Sequence, residues 1–124
     1  MIGYVMVGSN DLEKSKSFYD GVLGELGGKR TMGSERMQGW GNGKSPVMFA
    51  VCKPYDEKPA SVGNGTMISL AAPSKEAVAK VHAKAMSLGA KDEGAPGPRG
   101  DGGFYGAYFR DADGNKLCVF TMAR

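Results

Sequence analysis

The sequence predicts an α+β fold of two βαβββ modules that form a curved mixed sheet around a central dish-like cavity. Three observations carry this expectation. The order strand, helix, short strands occurs twice along 124 residues. Each helical stretch bears one apolar stripe at a 3.6-residue period. Late in the chain, Asp113-Gly114 sits between two apolar runs, which is a hairpin signal. The repeat spans about half the chain and is visible in element order rather than in letters.

Module one covers about residues 1–54. Residues 2–8 read as a strand ending at Gly8, and Ser9-Asn10-Asp11 supplies turn and N-cap chemistry. Leu12, Phe18, Tyr19, Val22 and Leu23 then share one helical face, and Gly27-Gly28 stops the helix. Short extended segments follow around 29–33, 36–41 and 46–53, separated by glycine and serine turns. Pro54 through Gly65 is turn-rich and connects the halves.

Module two covers about residues 65–124. Residues 66–72 read as a strand, and Ser74 caps a helix whose buried stripe is Ala77, Val78, Val81, Ala85 and Leu88. Gly89 ends it. Gly94 to Gly103 reads as a Pro/Gly loop, followed by the strands FYGAYFRD and KLCVFTM. The whole chain, 1–124, is expected to be a single domain.

Composition narrows the function classes. Apolar residues make up 41% and charged residues 23%, an ordinary globular balance. The 20 glycines are the outlier, and they fit tight turns between short strands. Sixteen basic residues are scattered among 13 acidic ones for a net charge of +3, with no basic block, so no nucleic-acid partner is expected. Cys52 and Cys118 lack C-x-x-C spacing and suggest a reducing compartment. No apolar run approaches about 18 residues, and no secretory pattern opens the chain. The expectation is a cytoplasmic protein without a membrane partner.

Three segments carry a family resemblance. Asp11-Leu12-Glu13-Lys14-Ser15 with Phe18-Tyr19 and Val22-Leu23-Gly24 is similar to the opening helix of the vicinal oxygen chelate superfamily. That superfamily includes glyoxalase I, bleomycin-resistance proteins and extradiol dioxygenases. Asp111-Ala112-Asp113-Gly114-Asn115 is similar to its D-P-D-G-N turn, with Ala112 in place of the proline. Residues 65–70 lie where its second module begins.

The resemblance implies a metal bound by four inward side chains, commonly His at the first and third positions and Glu at the fourth. Those positions fall on Tyr4, Phe49, Met67 and Cys118. None is a usual hard-metal ligand, and oxygen chemistry on a metal wants carboxylates and imidazoles. A one-residue slip at Phe49 brings Met48 or Ala50, which do not ligate a hard metal either. The expectation is no metal and no cofactor. By resemblance, a homodimer is expected.

Period-two alternation then names the dish lining. Tyr4 brings Met6, Phe49 brings Val51, Met67 brings Ser69, and Cys118 brings Phe120. Trp40 either stacks on a ligand or seals a dimer contact, and Tyr4 either donates to a ligand or fills space. Tyr105 and Tyr108 point to roughly opposite faces, and Tyr105 is placed in the pocket. Cys118 reads as a small buried hydrophobe or as a thiol handle. His82, the single histidine, takes a structural or solvent-edge place on its helix. Arg99 and Asp101 sit on a glycine-rich loop near the expected mouth.

The function this supports is metal-independent binding of a small, partly apolar organic molecule. The resemblance leaves a second reading open: a lyase like lactoylglutathione lyase, or a dioxygenase, with a shifted or borrowed metal site.

Overall fold

Asp11 and Ser74 decide where the two helices begin. In a computed structural model describing residues 1–122, each is extended and accepts from the backbone N–H three residues on. Lys14 N lies 3.1 Å from Asp11 Oδ1, and Ala77 N lies 3.1 Å from Ser74 Oγ. Each bond satisfies one of the donors a helix start leaves orphaned. Helices α1 (Leu12–Gly24) and α2 (Lys75–Ser87) each run 13 residues.

The strands are β1 (Tyr4–Gly8), β2 (Lys29–Gly33), β3 (Met37–Gly41), β4 (Met48–Cys52), β5 (Ile68–Ala71), β6 (Lys91–Pro98), β7 (Phe104–Arg110) and β8 (Lys116–Met122). They form two four-stranded sheets, in the orders β1-β4-β3-β2 and β5-β8-β7-β6. In each, the first strand pairs parallel with the fourth and the remaining pairs are antiparallel. The sheets are mixed and open, with the helices packed on one face, as the βαβββ repeat predicts.

One element departs from expectation. Residues 94–98, expected as loop, belong to β6. Pro96 and Pro98 fit there because β6 is an edge strand, where a missing N–H breaks no interior ladder. Register shifts between Asp92 and Gly94 and between Gly94 and Gly97 absorb the irregularity. The loop proper shrinks to residues 99–103.

A single apolar core joins the modules. Phe18, Tyr19, Val22, Trp40, Phe49 and Val51 from module one meet Val78, Val81, Phe109, Leu117 and Val119 from module two. The rings of Phe18 and Phe109 meet edge-on at 6.3 Å.

The Asp111–Asn115 turn clamps this junction. Asp111 is buried, and its carboxylate accepts from Asp113 N, Asn115 N, Asn115 Nδ2 and the Tyr19 hydroxyl. Asn115 Nδ2 also donates to Gly8 O at 2.9 Å, and Asn10 N donates to Asp113 Oδ1 at 2.8 Å. The turn thus ties β8 to the end of β1 and the start of α1. Gly114 takes φ 91° there, a conformation that side chains disfavour. Tyr19 titrates well above the ordinary phenol range, first because it is buried and then because the Asp111 charge opposes a phenolate.

Candidate functional site

Pairing register decides which side chains face the helices. Cross-strand partners share a face. Val5 pairs with Phe49 and Val7 with Val51, and these side chains pack in or against the core. Trp40 pairs with Phe49 and joins them. Tyr4, Met6, Met37, Met48 and Cys52 therefore occupy the opposite, open face of sheet one. Tyr4 is 60% exposed and Met6 42%.

In sheet two, Leu117, Val119, Ala107 and Phe109 lie in the core, and Ile68 and Leu70 pack against it. The open face carries Ser69 beside Cys118, Cys118 beside Tyr108, and Ala71 beside Phe120. Phe104 and Phe120 stack there, with centroids 5.2 Å apart and planes 3° from parallel.

Three residues of the expected lining face the helices rather than the open face. Phe49 points to the helix side, because the register aligns it with Val5 rather than with Tyr4. Its open-face neighbours are Met48 and Ala50. Trp40 lies on the helix side too: its ring sits 5.8 Å from Tyr19, and its Nε1–H donates to Asp20 Oδ1 at 3.0 Å. Tyr105 packs against the core under Lys75, whose Nζ lies 5.3 Å from the ring centroid, while Tyr108 takes the open face. Met67 falls just before β5, which begins at Ile68.

A cleft of about 540 Å³ runs between the modules. Val5, Leu23, Leu26, Trp40 and Phe49 line it from module one, and Met67, Ile68, Ser69 and Leu70 from module two. It brings together Trp40, Phe49, Met67 and Ser69 of the expected lining. Tyr4, Met6, Tyr105, Cys118 and Phe120 lie outside it. Polar lining comes from Ser69, Asn42 and Ser45. A smaller recess of about 460 Å³ adjoins through Met67, and Arg110, Lys116, Asn64 and Thr66 form its walls.

Titratable groups are few on these surfaces. Burial raises Cys52 above the usual thiol range, opposed by the Arg36 charge. Burial also raises Tyr108, with Cys118 adding to it and Arg99 opposing. His82 is buried on the helix side, its Nε2 3.0 Å from Asp92 Oδ1, where it fastens α2 to β6.

The metal positions implied by resemblance do not suit a hard cation. They present a phenol at Tyr4, a thioether at Met67 and a buried thiol at Cys118. The register puts Met48 or Ala50 where a fourth ligand would project. Among the described residues, no three His, Cys, Asp or Glu side chains gather to hold a metal ion. No helix there is long and apolar enough to cross a membrane.

Two open mixed sheets of βαβββ design, clamped by an Asp-x-Asp-Gly-Asn turn, define a two-module glyoxalase-type protein. The chain belongs to the Glyoxalase/Bleomycin resistance protein/Dioxygenase superfamily, whose family model matches residues 1–119. It is similar to a glyoxalase/bleomycin resistance protein from Albidiferax ferrireducens T118, at 39% identity over 98% of both chains with a TM-score of 0.88. At the level of fold, it resembles a glyoxalase/bleomycin resistance protein/dioxygenase family enzyme from Burkholderia phytofirmans PsJN. That likeness has 20% identity, 97% of both chains and a TM-score of 0.78. It also resembles a lactoylglutathione lyase from Agrobacterium tumefaciens, at 19% identity over 98% of this chain and 92% of that one, with a TM-score of 0.71. No curated protein matches the chain significantly.

Three residues of the open face escaped the sequence reading as site residues. Tyr108 was visible only as the opposite-face partner of Tyr105. Arg99 was visible as a loop cation. Lys116 carried no signal, because a lone lysine beside a turn is ordinary.

Proposed function

We propose that this protein binds a small, partly apolar organic molecule without a metal. The observation that carries this is the inter-module cleft of about 540 Å³, walled by Trp40, Phe49, Leu23, Ile68 and Leu70 with Ser69 as a polar handle. That size and lining suit a small organic ligand. The donor set at Tyr4, Met67 and Cys118 supports the metal-free part, since a hard divalent cation prefers carboxylates and imidazoles.

Trp40 is the single tryptophan and lines the cleft, so its fluorescence reports occupancy. Dialysed protein is titrated with 1-octanol and screened by thermal shift against small hydrophobic and aromatic compounds. Saturable quenching of Trp40 together with raised melting temperatures is expected. Neither effect with any compound would sink the proposal. Metal analysis of the purified protein tests the second half. Stoichiometric nickel, zinc, iron or manganese would overturn it in favour of the lyase or dioxygenase reading.

A further inference from the structure

Charge pairing singles out two cations on the open face of module two. Arg30 bonds Asp20, Arg36 lies by Glu57, and Arg110 bonds Glu93. Arg99 has no carboxylate partner among the described residues. Its Nη1 donates to Gly97 O at 2.9 Å and Pro98 O at 3.3 Å, and its Nη2 donates to Ala95 O at 2.7 Å. A guanidinium has five N–H donors, so about two stay uncommitted.

The guanidinium carbon lies 5.4 Å from the Tyr108 ring centroid, and Lys116 Nζ lies 5.6 Å from the same centroid. Lys116 forms no ion pair among the described residues. Its charge reaches Glu93, but that carboxylate is bonded to Arg110.

The strand around Arg99 is shaped to hold it. A Cβ at Gly94 would stand 3.1 Å from Arg99 Nη2 and 3.0 Å from Tyr108 Cδ2, and one at Gly97 would stand 3.2 Å from Arg99 Nη1. Two glycines therefore leave room for a guanidinium laid along the strand. Both cations are half-buried, where a charge without a counter-ion is less well hydrated.

Position links this pair to the cleft. Met67 lines both the cleft and the recess that Lys116 walls. Ser69, Cys118 and Tyr108 are successive cross-strand partners from β5 to β7. Adjacent strands lie about 4.8 Å apart, so this row spans about 10 Å from the cleft to the phenol between the cations.

We infer that the ligand of the cleft is an organic anion, its apolar body between the modules and its acidic group on Lys116, with Arg99 beside Tyr108 as the second cation. This deepens the proposed function and rests on it. A carboxylate and a phosphate monoester share the needed chemistry: oxygens that accept from an ammonium and from a guanidinium.

The test compares octanoate, octyl phosphate and 1-octanol, followed by Trp40 fluorescence and calorimetry at low and at physiological salt. Both acids are expected to bind at least tenfold tighter than the alcohol, with the margin shrinking as salt rises. In Lys116→Gln, the preference is expected to fall below threefold with octanol affinity unchanged. Arg99→Gln is expected to lose a smaller part, and Lys116→Arg to retain the preference. A tighter octyl phosphate assigns a phosphate ligand, and a tighter octanoate a carboxylate. Equal binding of acids and alcohol would overturn this inference and leave the cleft proposal standing. So would a preference that survives in both glutamine variants. No binding by any of the three would overturn both.

Discussion

Both modules start with a short edge strand, carry a 13-residue helix capped by Asp11 or Ser74, and pair the first strand parallel with the last. Their helix-side faces merge into one core. Their open faces share little. Module one presents Tyr4, Met6, Met37 and Met48, a flexible, polarisable surface. Module two presents stacked Phe104 and Phe120, then Tyr108 between Arg99 and Lys116. A duplicated plan is held constant where packing demands it and diverges where no packing constrains it.

The sharpest way to break that comparison is through the shared core. Trp40→Ala in module one and Phe109→Ala in module two should each cost about 3–5 kcal/mol. Each should shift one cooperative urea transition, with far-UV and near-UV signals moving together. Two separated transitions would show that the modules fold independently.

Next comes the clamp. Asp111→Ala strands the Asn115 donors and the Tyr19 hydroxyl in a buried site, at about 3 kcal/mol. The same Asn115→Ala measurement should give a smaller loss, because Asp111 keeps its bond from Tyr19.

An alkaline titration sharpens the same junction. Tyr19 has its folded pKa raised above its unfolded value, so its stabilising contribution is complete below about pH 10 and lost as pH rises past it. Urea midpoints measured between pH 8 and 11 should fall less steeply in Tyr19→Phe than in the parent. Equal slopes would show that the phenol does not control the alkaline limb.

Exposed side chains should respond least. Met6→Leu, half exposed in module one, should change stability by less than about 1 kcal/mol. Arg30→Gln breaks an exposed pair whose guanidinium holds Asp20 below the usual carboxylate range. It should cost about 0.2–1 kcal/mol, and less in high salt.

The helices were legible because their apolar spacing and caps are local. Leu12, Phe18, Tyr19, Val22 and Leu23 form the buried stripe where the period placed it. β6 was not legible: Pro96 and Pro98 read as loop, and only their place at a sheet edge makes a strand tolerable. The face of Phe49 was not legible because Met48–Cys52 is a continuous apolar run with no alternation to mark its faces. The pairing of Ser69 with Cys118 was not legible either, since alternation within β5 and within β8 says nothing of the register between them.

By itself, the sequence determined two βαβββ modules, their helices and stops, the Asp111–Asn115 turn, and a donor set poor in hard-metal ligands. These follow from periodicity, capping and residue chemistry, which act over a few residues. Only the tertiary structure decided which face Phe49 and Trp40 occupy, that a cleft of about 540 Å³ lies between the modules, and that Arg99 and Lys116 flank one tyrosine. Those facts depend on strand register and on which elements meet. Contacts such as Asn10 with Asp113 span most of the chain, and no local pattern encodes them.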